Sequence, residues 1–172
     1  FIHFDSKQVS NDIYERISLY HFLPGRTQIQ RSINGIFAFI QKKLHVDRTK
    51  KLKWSIQKGA NWFSITNDLA EYILNNKKLI KKFFSYSFCG DEVFLQTIVY
   101  NSIFAVKLFD KSYSGDYHSC MRYIDWNRGN PYIFQQKDLN ELLASDYLFA
   151  RKFNYIGPND VVMNIQRILM KG

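Results

Sequence analysis

Two adjacent carboxylates, Asp91 and Glu92, stand where a glycine-containing loop is predicted to become an amphipathic helix. The helix is predicted over residues 92–101, because apolar residues recur there with helical periodicity: Phe94, Leu95, Ile98 and Val99. A carboxylate in the first turn of a helix stabilises it, and Asp91 is expected to cap this one. A carboxylate held there at the mouth of a cleft also suits a general base, so the pair indicates either a helix start or a catalytic site.

Two further groups of residues could bind a ligand. Gly59 opens an aromatic segment, residues 59–63, that is typical of a loop entering a strand. Arg122 stands inside an aromatic strand, and Arg151 and Lys152 stand between two phenylalanines. Charges in apolar surroundings need partners, so these cations bind either carboxylates of the protein or an anionic ligand. The pattern alone favours neither alternative.

The cysteines and histidines indicate no familiar catalytic or metal site. The chain has no glycine-rich nucleotide motif, no Cys-x-x-Cys pair and no His-Glu-x-x-His sequence. Its four histidines lack the spacing of metal ligands. Neither cysteine has an obvious base beside it in the sequence, and Cys89 is expected to be a small buried side chain rather than a nucleophile. Two thiols do not make a disulfide framework, which favours a reducing compartment.

The composition predicts one globular domain with anionic partners. The chain has 172 residues, of which 46% are hydrophobic, and a formal net charge of +9. Such a charge suits nucleic acid, an anionic membrane or a phosphorylated small molecule. The lysines are dispersed along the chain, whereas nucleic-acid-binding modules concentrate their cations and carry a recognisable motif. No nucleic-acid partner is therefore expected.

Helices alternate with short strands in the predicted secondary structure. Helices are predicted over residues 31–44, from Thr66 or Asn67 to 75, over 78–84, over 139–144 with Asp138 as cap, and over 161–170 with Asp160 as cap. Strands are predicted over residues 1–5, 103–106 and 121–126, and a turn over 127–131. This alternation predicts an α/β layered domain over residues 1–172. No apolar run is long enough to span a bilayer, no signal peptide is visible, and the initial Phe1 indicates a piece of a longer protein.

Five segments, in order, resemble the C-terminal half of glycosyltransferase family 14. They are residues 58–63 (KGANWF), 91–97 (DEVFLQT), 101–102 (NS), 122–126 (RYIDW) and 149–153 (FARKF). This family contains the core-2/I-branching β-1,6-N-acetylglucosaminyltransferases, the peptide O-xylosyltransferases and bacterial relatives. Because it has few cysteines, the chain resembles the bacterial branch of the family most closely.

The resemblance implies a GT-A-type nucleotide-diphospho-sugar transferase fold without its N-terminal nucleotide-binding portion. It also implies an inverting transfer of an N-acetylglucosamine- or xylose-type sugar from a UDP-sugar to a hydroxyl of a glycan or polysaccharide. No cofactor and no metal are expected, because the family's branching enzymes use cationic side chains at the leaving diphosphate. A non-catalytic carbohydrate-binding or assembly module that retains the fold is the alternative.

Roles carried over from the family fall on two sets of residues. Glu92 corresponds to the catalytic base, and the diphosphate-binding cations correspond to Arg122, Lys152 and the adjacent Arg151. Residues on the acceptor side correspond to Arg16, Trp62, Gly59 and Asp91. The implied location is the cytoplasm or the inner face of a bacterial membrane, with peripheral association left open for the full-length protein.

Overall fold

The computed structural model describes residues 1–23, 25–154 and 160–170. The chain divides into two compact units, Phe1–Asp116 and Tyr117–Gly172. Each unit is described by itself below. The single domain predicted over residues 1–172 stays a prediction, because the compactness of each unit does not test whether the two units fold together.

Five α-helices make up most of the regular structure of the first unit. They are α1 (Asn11–Ser18), α2 (Gln28–Lys43), α3 (Asn67–Asn75), α4 (Lys77–Phe84) and α5 (Phe94–Tyr100). Helix α3 begins where predicted, because the Thr66 hydroxyl accepts a hydrogen bond from the amide of Leu69. Helix α2 begins three residues before its predicted start, at a capping box of Thr27 and Gln30. The predictions of α2, α3 and α4 are confirmed.

The acidic pair does not open an α-helix, contrary to the prediction. Gly90–Glu92 is a separate 3-10 turn, and α5 begins only at Phe94. The chain turns at Cys89, whose φ of 52° is left-handed, and the amide of Val93 then bonds to the Gly90 carbonyl. Asp91 caps no helix, because its carboxylate accepts a hydrogen bond from the side-chain amide of Asn61 instead. The helix-start interpretation of the pair is therefore wrong for Asp91.

The segment after α5 is also helical where a strand was predicted. Residues Ile103–Lys107 form a 3-10 helix. Ser102 begins it, because its hydroxyl accepts a hydrogen bond from the amide of Phe104. Ile103 and Val106 point to solvent, so the apolar composition of this segment does not reflect a buried strand.

Helix α5 is fixed between two buried clusters of the first unit. Leu95 and Val99 pack in one cluster, whose other members are Ile2, Phe4, Leu69, Phe104 and Leu108. Val93, just before the helix, packs in the second, with Ile13, Ile17, Ile56, Phe83 and Phe84. The inward face predicted for this helix is confirmed for Leu95, Ile98 and Val99, which are at most 1% exposed. Glu92 is therefore attached to a well-packed part of the core.

Arg48 joins α1 to α4 through hydrogen bonds to main-chain carbonyls. Its guanidinium donates to the carbonyls of Phe83, at 3.0 Å, and Lys82, at 3.2 Å, at the end of α4. It also donates to the carbonyl of Leu19, just beyond α1, at 3.3 Å and lies 4.5 Å from the Tyr20 ring centroid. Helix α1, which carries Arg16, is thereby held in place.

The second unit contains a two-stranded parallel sheet and two helices. The strands are β1 (Arg122–Ile124) and β2 (Phe149–Arg151), and the helices are α6 (Leu139–Ala144) and α7 (Val161–Leu169). Arg122 pairs with Phe149, and Ile124 pairs with Arg151. The strand predicted over 121–126 is confirmed in a shorter form, and the helix over 139–144 is confirmed as predicted.

The two caps predicted in the second unit have different outcomes. The Asp160 carboxylate accepts a hydrogen bond from the amide of Met163, which confirms it as the cap of α7. Asp138 stands at the start of α6 but makes no capping bond to that helix. Its carboxylate instead accepts from the amide of Gln135 and from the guanidinium of Arg128.

The architecture is a mixture of helices with a small sheet. In the part of the chain that the structure describes, the sheet has two strands of three residues each, and residues 1–5 contribute one isolated bridge, from Ile2 to Phe63. The predicted alternating layers are therefore not seen, although the mixture is consistent with a glycosyltransferase-type domain. The GT-A assignment and the missing nucleotide-binding portion stay predictions. None of the described helices combines the length and apolarity needed to cross a bilayer.

Candidate functional site

Three segments that are distant in the sequence meet near Glu92: the N-terminal residues, residues 58–64 and the acidic turn itself. The N-terminal residues run beside residues 58–64, with the Asp5 amide bonded to the Lys58 carbonyl at 2.9 Å. The amide of Gly59 donates to the main-chain carbonyl of Glu92 at 3.0 Å. The glycine segment therefore lies between the N-terminal residues and the acidic turn.

Gly59 is required here because two backbone segments approach closely. A Cβ atom at this position would lie 1.9 Å from the carbonyl oxygen of His3. The buried side chain of Gln96 connects the same two segments, because its amide nitrogen donates to the carbonyls of His3, at 3.2 Å, and Ala60, at 2.8 Å. Gly59 thus has a packing role, and its acceptor-binding role stays a prediction.

The Glu92 carboxylate lies between two cations. Its Oε2 atom is 3.8 Å from Nζ of Lys58 and 3.9 Å from Nη1 of Arg16. Each cation has a second carboxylate: Lys58 contacts Asp5 at 2.5 Å, and Arg16 contacts Asp12 at 3.0 Å. Charges of both signs alternate along this cluster, which is half-exposed rather than buried.

The Glu92 carboxylate retains hydrogen-bonding capacity. Both cation distances exceed the length of a hydrogen bond, and within the described residues no donor bonds to this carboxylate. The side chain is 37% exposed, so a ligand can reach it. An ionised carboxylate accepts up to about four hydrogen bonds, and a ligand hydroxyl can therefore bind to it directly.

The residues next to Glu92 border the same surface. Asn61 donates to Asp91 at 2.7 Å and so joins the aromatic segment to the acidic turn. Trp62 follows Asn61 and is half-buried.

Cys89 is exposed, which corrects the prediction of a buried side chain, since its left-handed turn points it away from the core. Local desolvation and then the Glu92 carboxylate raise the pKa of the Cys89 thiol, which disfavours the nucleophilic thiolate.

The three predicted diphosphate-binding cations lie on the small sheet of the second unit or directly after it. Arg122 and Arg151 point to the same face, because their positions are in register with Phe149 and Ile124 across the parallel pair. The Arg122 guanidinium lies 4.8 Å from the Phe149 ring centroid and donates to the Cys120 carbonyl at 2.9 Å. Lys152 follows β2 with an exposed side chain.

Arg122 and Lys152 differ from the nearby Arg128 in their partners. Arg128 contacts three carboxylates, those of Asp125, Asp138 and Glu141. No ion pair of Arg122 or Lys152 is present among residues 1–23, 25–154 and 160–170. Arg128 is therefore a structural cation, whereas Arg122 and Lys152 have no carboxylate partner among the described residues.

The structure gathers the predicted residues into two groups. Arg16, Gly59 and Asp91 surround Glu92 in the first unit, while Arg122 and Arg151 lie on the sheet of the second unit and Lys152 directly follows it. Sequence reasoning missed Lys58 and Asp5, although Lys58 stands directly before Gly59 in a segment singled out for its motif. Nothing local marks Asp5, because its partner is far away in the sequence.

Comparison with known proteins identifies the family. The family model of the Core-2/I-Branching enzymes matches residues 5–144, well over half of the chain. Glu92 and Arg122 lie inside the matched range, and Arg151 and Lys152 lie beyond its end. No curated protein and no solved structure shows a significant match to the chain. The chain belongs to the Core-2/I-branching enzyme family, whose members are glycosyltransferases that move a sugar from a donor to a glycan acceptor.

Proposed function

We propose that this protein is an inverting glycosyltransferase that takes a sugar of the N-acetylglucosamine or xylose type from a UDP-sugar. Glu92 is the general base, and Arg122 and Lys152, with Arg151 beside them, stabilise the leaving diphosphate. The observation that carries the proposal is the state of the Glu92 carboxylate, which is reachable and free of protein hydrogen bonds among the described residues.

Inversion requires one in-line displacement at the anomeric carbon of the donor. The acceptor hydroxyl attacks that carbon and loses its proton to Glu92, while the bond to the UDP oxygen breaks. A base for this step must accept a hydrogen bond from the hydroxyl, and the open Oε atoms of Glu92 suit that role. Arg16 and Lys58, almost 4 Å away, hold the carboxylate between them without occupying it.

The leaving UDP gains negative charge on its β-phosphate as the bond breaks. Guanidinium and ammonium groups stabilise such charge when they are fixed in position before the reaction. Stacking on Phe149 and a bond to the Cys120 carbonyl fix the Arg122 guanidinium. Because the expected cations are side chains, the proposed mechanism needs no metal.

The acceptor side is proposed to lie at the surface around the acidic turn. Trp62 offers an aromatic face on which a sugar ring can stack. Asp91 and Arg16 can bond to sugar hydroxyls beside Glu92. A glycan or polysaccharide is the proposed class of acceptor.

Removing the phosphate-binding cations is expected to weaken UDP binding. Arg122→Ala and Lys152→Ala each delete a charged partner of the diphosphate, so we expect UDP affinity to fall about tenfold or more. Titration calorimetry with UDP on the full-length protein measures this. Lys137→Ala removes an exposed lysine of the same unit and is the matched control, expected to bind normally. Unchanged affinity in both test variants would remove the cations from the site.

Chelation of divalent metal is expected to leave the transfer rate unchanged. EDTA cannot remove the charges of Arg122 and Lys152, so the leaving diphosphate stays stabilised. Product formation is measured with and without EDTA, beside a metal-dependent glycosyltransferase as control. Loss of transfer that Mn²⁺ restores would assign the diphosphate to a metal instead.

A further inference from the structure

Helix α2 presents apolar side chains to solvent and turns the polar side chains of Asn34 and Gln41 toward the protein. Its most exposed large side chains are Ile29 at 73%, Phe39 at 63% and Ile36 at 62%. Ile33, Phe37 and Ile40 are also exposed, and Gln41 is the only buried residue among Gln28–Lys43. A helix of a globular protein normally shows the reverse arrangement.

Specific hydrogen bonds hold α2 in this orientation. The Gln41 amide oxygen accepts from the Tyr20 amide at 2.8 Å, and its nitrogen donates to the Tyr20 carbonyl at 3.0 Å. Asn34, on the same side of the helix, donates to the Leu23 carbonyl at 2.9 Å. These buried polar contacts would be lost if the helix turned its apolar face inward. The outward apolar face is therefore a built feature of this unit.

Aromatic side chains extend the apolar surface beyond the helix. Phe22 is 57% exposed, and its ring contacts that of Phe37 with 6.2 Å between centroids. Tyr86 and Tyr20 lie against the other side of Phe22, with centroid distances of 5.7 Å for each. Contiguous exposed apolar surface of this kind marks an interaction site.

The charges around this surface favour an anionic occupant. Helix α2 contains Arg31, Lys42 and Lys43 and no acidic residue. Lys43 lies at the rim of the apolar face, with its Nζ 5.7 Å from the Phe39 ring centroid. Lys42 is paired with Glu15, but three exposed lysines follow shortly after the helix: Lys50, Lys51 and Lys53. A second copy of the chain would bring these like charges together, whereas an anionic surface would neutralise them.

We propose that α2 is a membrane-interface helix that binds an anionic lipid surface. Its apolar side chains enter the boundary between headgroups and acyl chains, while the lysines at its rim and beyond its end contact lipid phosphates. Phe22, Phe37 and Phe39 supply the large apolar side chains typical of such helices. The helix lies on the membrane and does not cross it.

Flotation of the full-length protein with vesicles tests the proposal. We expect binding to phosphatidylcholine vesicles that contain phosphatidylglycerol, weak binding to phosphatidylcholine alone, and release at high salt. Ile36→Asp and Phe39→Asp should each weaken binding about tenfold or more, because each removes a large apolar side chain from the lipid. Lys43→Gln should weaken it about fivefold.

The control substitution is Ile103→Asp, since Ile103 is at least as exposed as the tested residues, at 75%, but lies outside α2. It should bind vesicles like the original protein. Thermal melting should show that all four variants fold, since each changes an exposed side chain. The assay uses neither donor nor acceptor, so its result is independent of the proposed transfer reaction.

Three results would overturn the proposal. Equal binding to neutral vesicles would remove the role of the lysines. Unchanged binding by Ile36→Asp and Phe39→Asp would remove the role of the helix. If the protein is instead dimeric without lipid, and Ile36→Asp makes it monomeric, the face belongs to a second copy.

Discussion

Replacing Glu92 with Gln is expected to lower the rate of sugar transfer on the order of 100-fold or more. Glutamine keeps the shape of the side chain but cannot take the proton of the attacking hydroxyl. UDP affinity should stay unchanged, because the diphosphate cations are other residues. Initial rates with a UDP-sugar and calorimetric titration with UDP separate the two effects.

The fold should survive this substitution. The Glu92 main-chain carbonyl, which accepts from the Gly59 amide, is unaffected, and the side chain is half-exposed without a hydrogen bond among the described residues. Glu71→Gln is the matched control, because Glu71 belongs to α3 in the same unit and lies outside the proposed site. Turnover like that of the original protein in Glu92→Gln would assign the base to another group.

A lack of catalysis by the unmodified protein would distinguish the two candidate functions. If the unmodified full-length protein neither transfers sugar nor hydrolyses any UDP-sugar, yet binds glycans, the alternative of a carbohydrate-binding module is correct. In that case Glu92→Gln should change glycan affinity only. The two functions are therefore distinguished by turnover of the unmodified protein.

Local patterns predicted the helices whose ends are set by side chains nearby in the sequence. Thr66 and Asp160 cap α3 and α7 as expected, because a capping bond spans only three residues. Asp91 and Asp138 resemble caps equally well but bond to Asn61 and Arg128 instead. Such competition depends on which groups tertiary structure brings near, and a local pattern does not contain that information.

The helix α2 shows the same limit for periodicity. Its apolar repeat correctly predicted a helix, but periodicity does not say which face meets the core. The buried bonds of Gln41 to Tyr20, 21 residues earlier in the chain, decide the orientation. These two hydrogen bonds favour the observed orientation, because each of them would cost about 1–3 kcal/mol if it were left unmade.

The residues of the candidate site could be predicted from the sequence, but the contacts around them could not. Glu92 and its neighbours stand in segments that resemble the family's motifs. The alternation of Asp5, Lys58 and Glu92 arises only when the N-terminal residues run beside residues 58–64. Contacts between segments so distant in sequence depend on the whole fold of the unit.

Replacing Gly59 with Ala is expected to lower the free energy of unfolding by about 3 kcal/mol or more. The added Cβ would lie 1.9 Å from the carbonyl oxygen and 2.7 Å from the carbonyl carbon of His3. Both atoms belong to the backbone, so the two segments must separate, and the Gln96 bonds that join them weaken. Thermal or denaturant unfolding of the full-length protein measures the loss.

The same substitution separates the two roles of Gly59. Separation of the segments would also move the backbone of Glu92, which bonds to the Gly59 amide, so transfer should slow even where the variant is folded. Gly35→Ala is the matched control, because a Cβ there meets nothing within 4 Å, and alanine in a helix should stabilise the protein by about 0.5–1 kcal/mol. Normal stability of Gly59→Ala with weaker acceptor binding would instead make Gly59 a direct acceptor contact. The packing of Gly59 against His3 predicts instead that Gly59→Ala lowers stability, and that acceptor binding weakens only because the backbone is displaced.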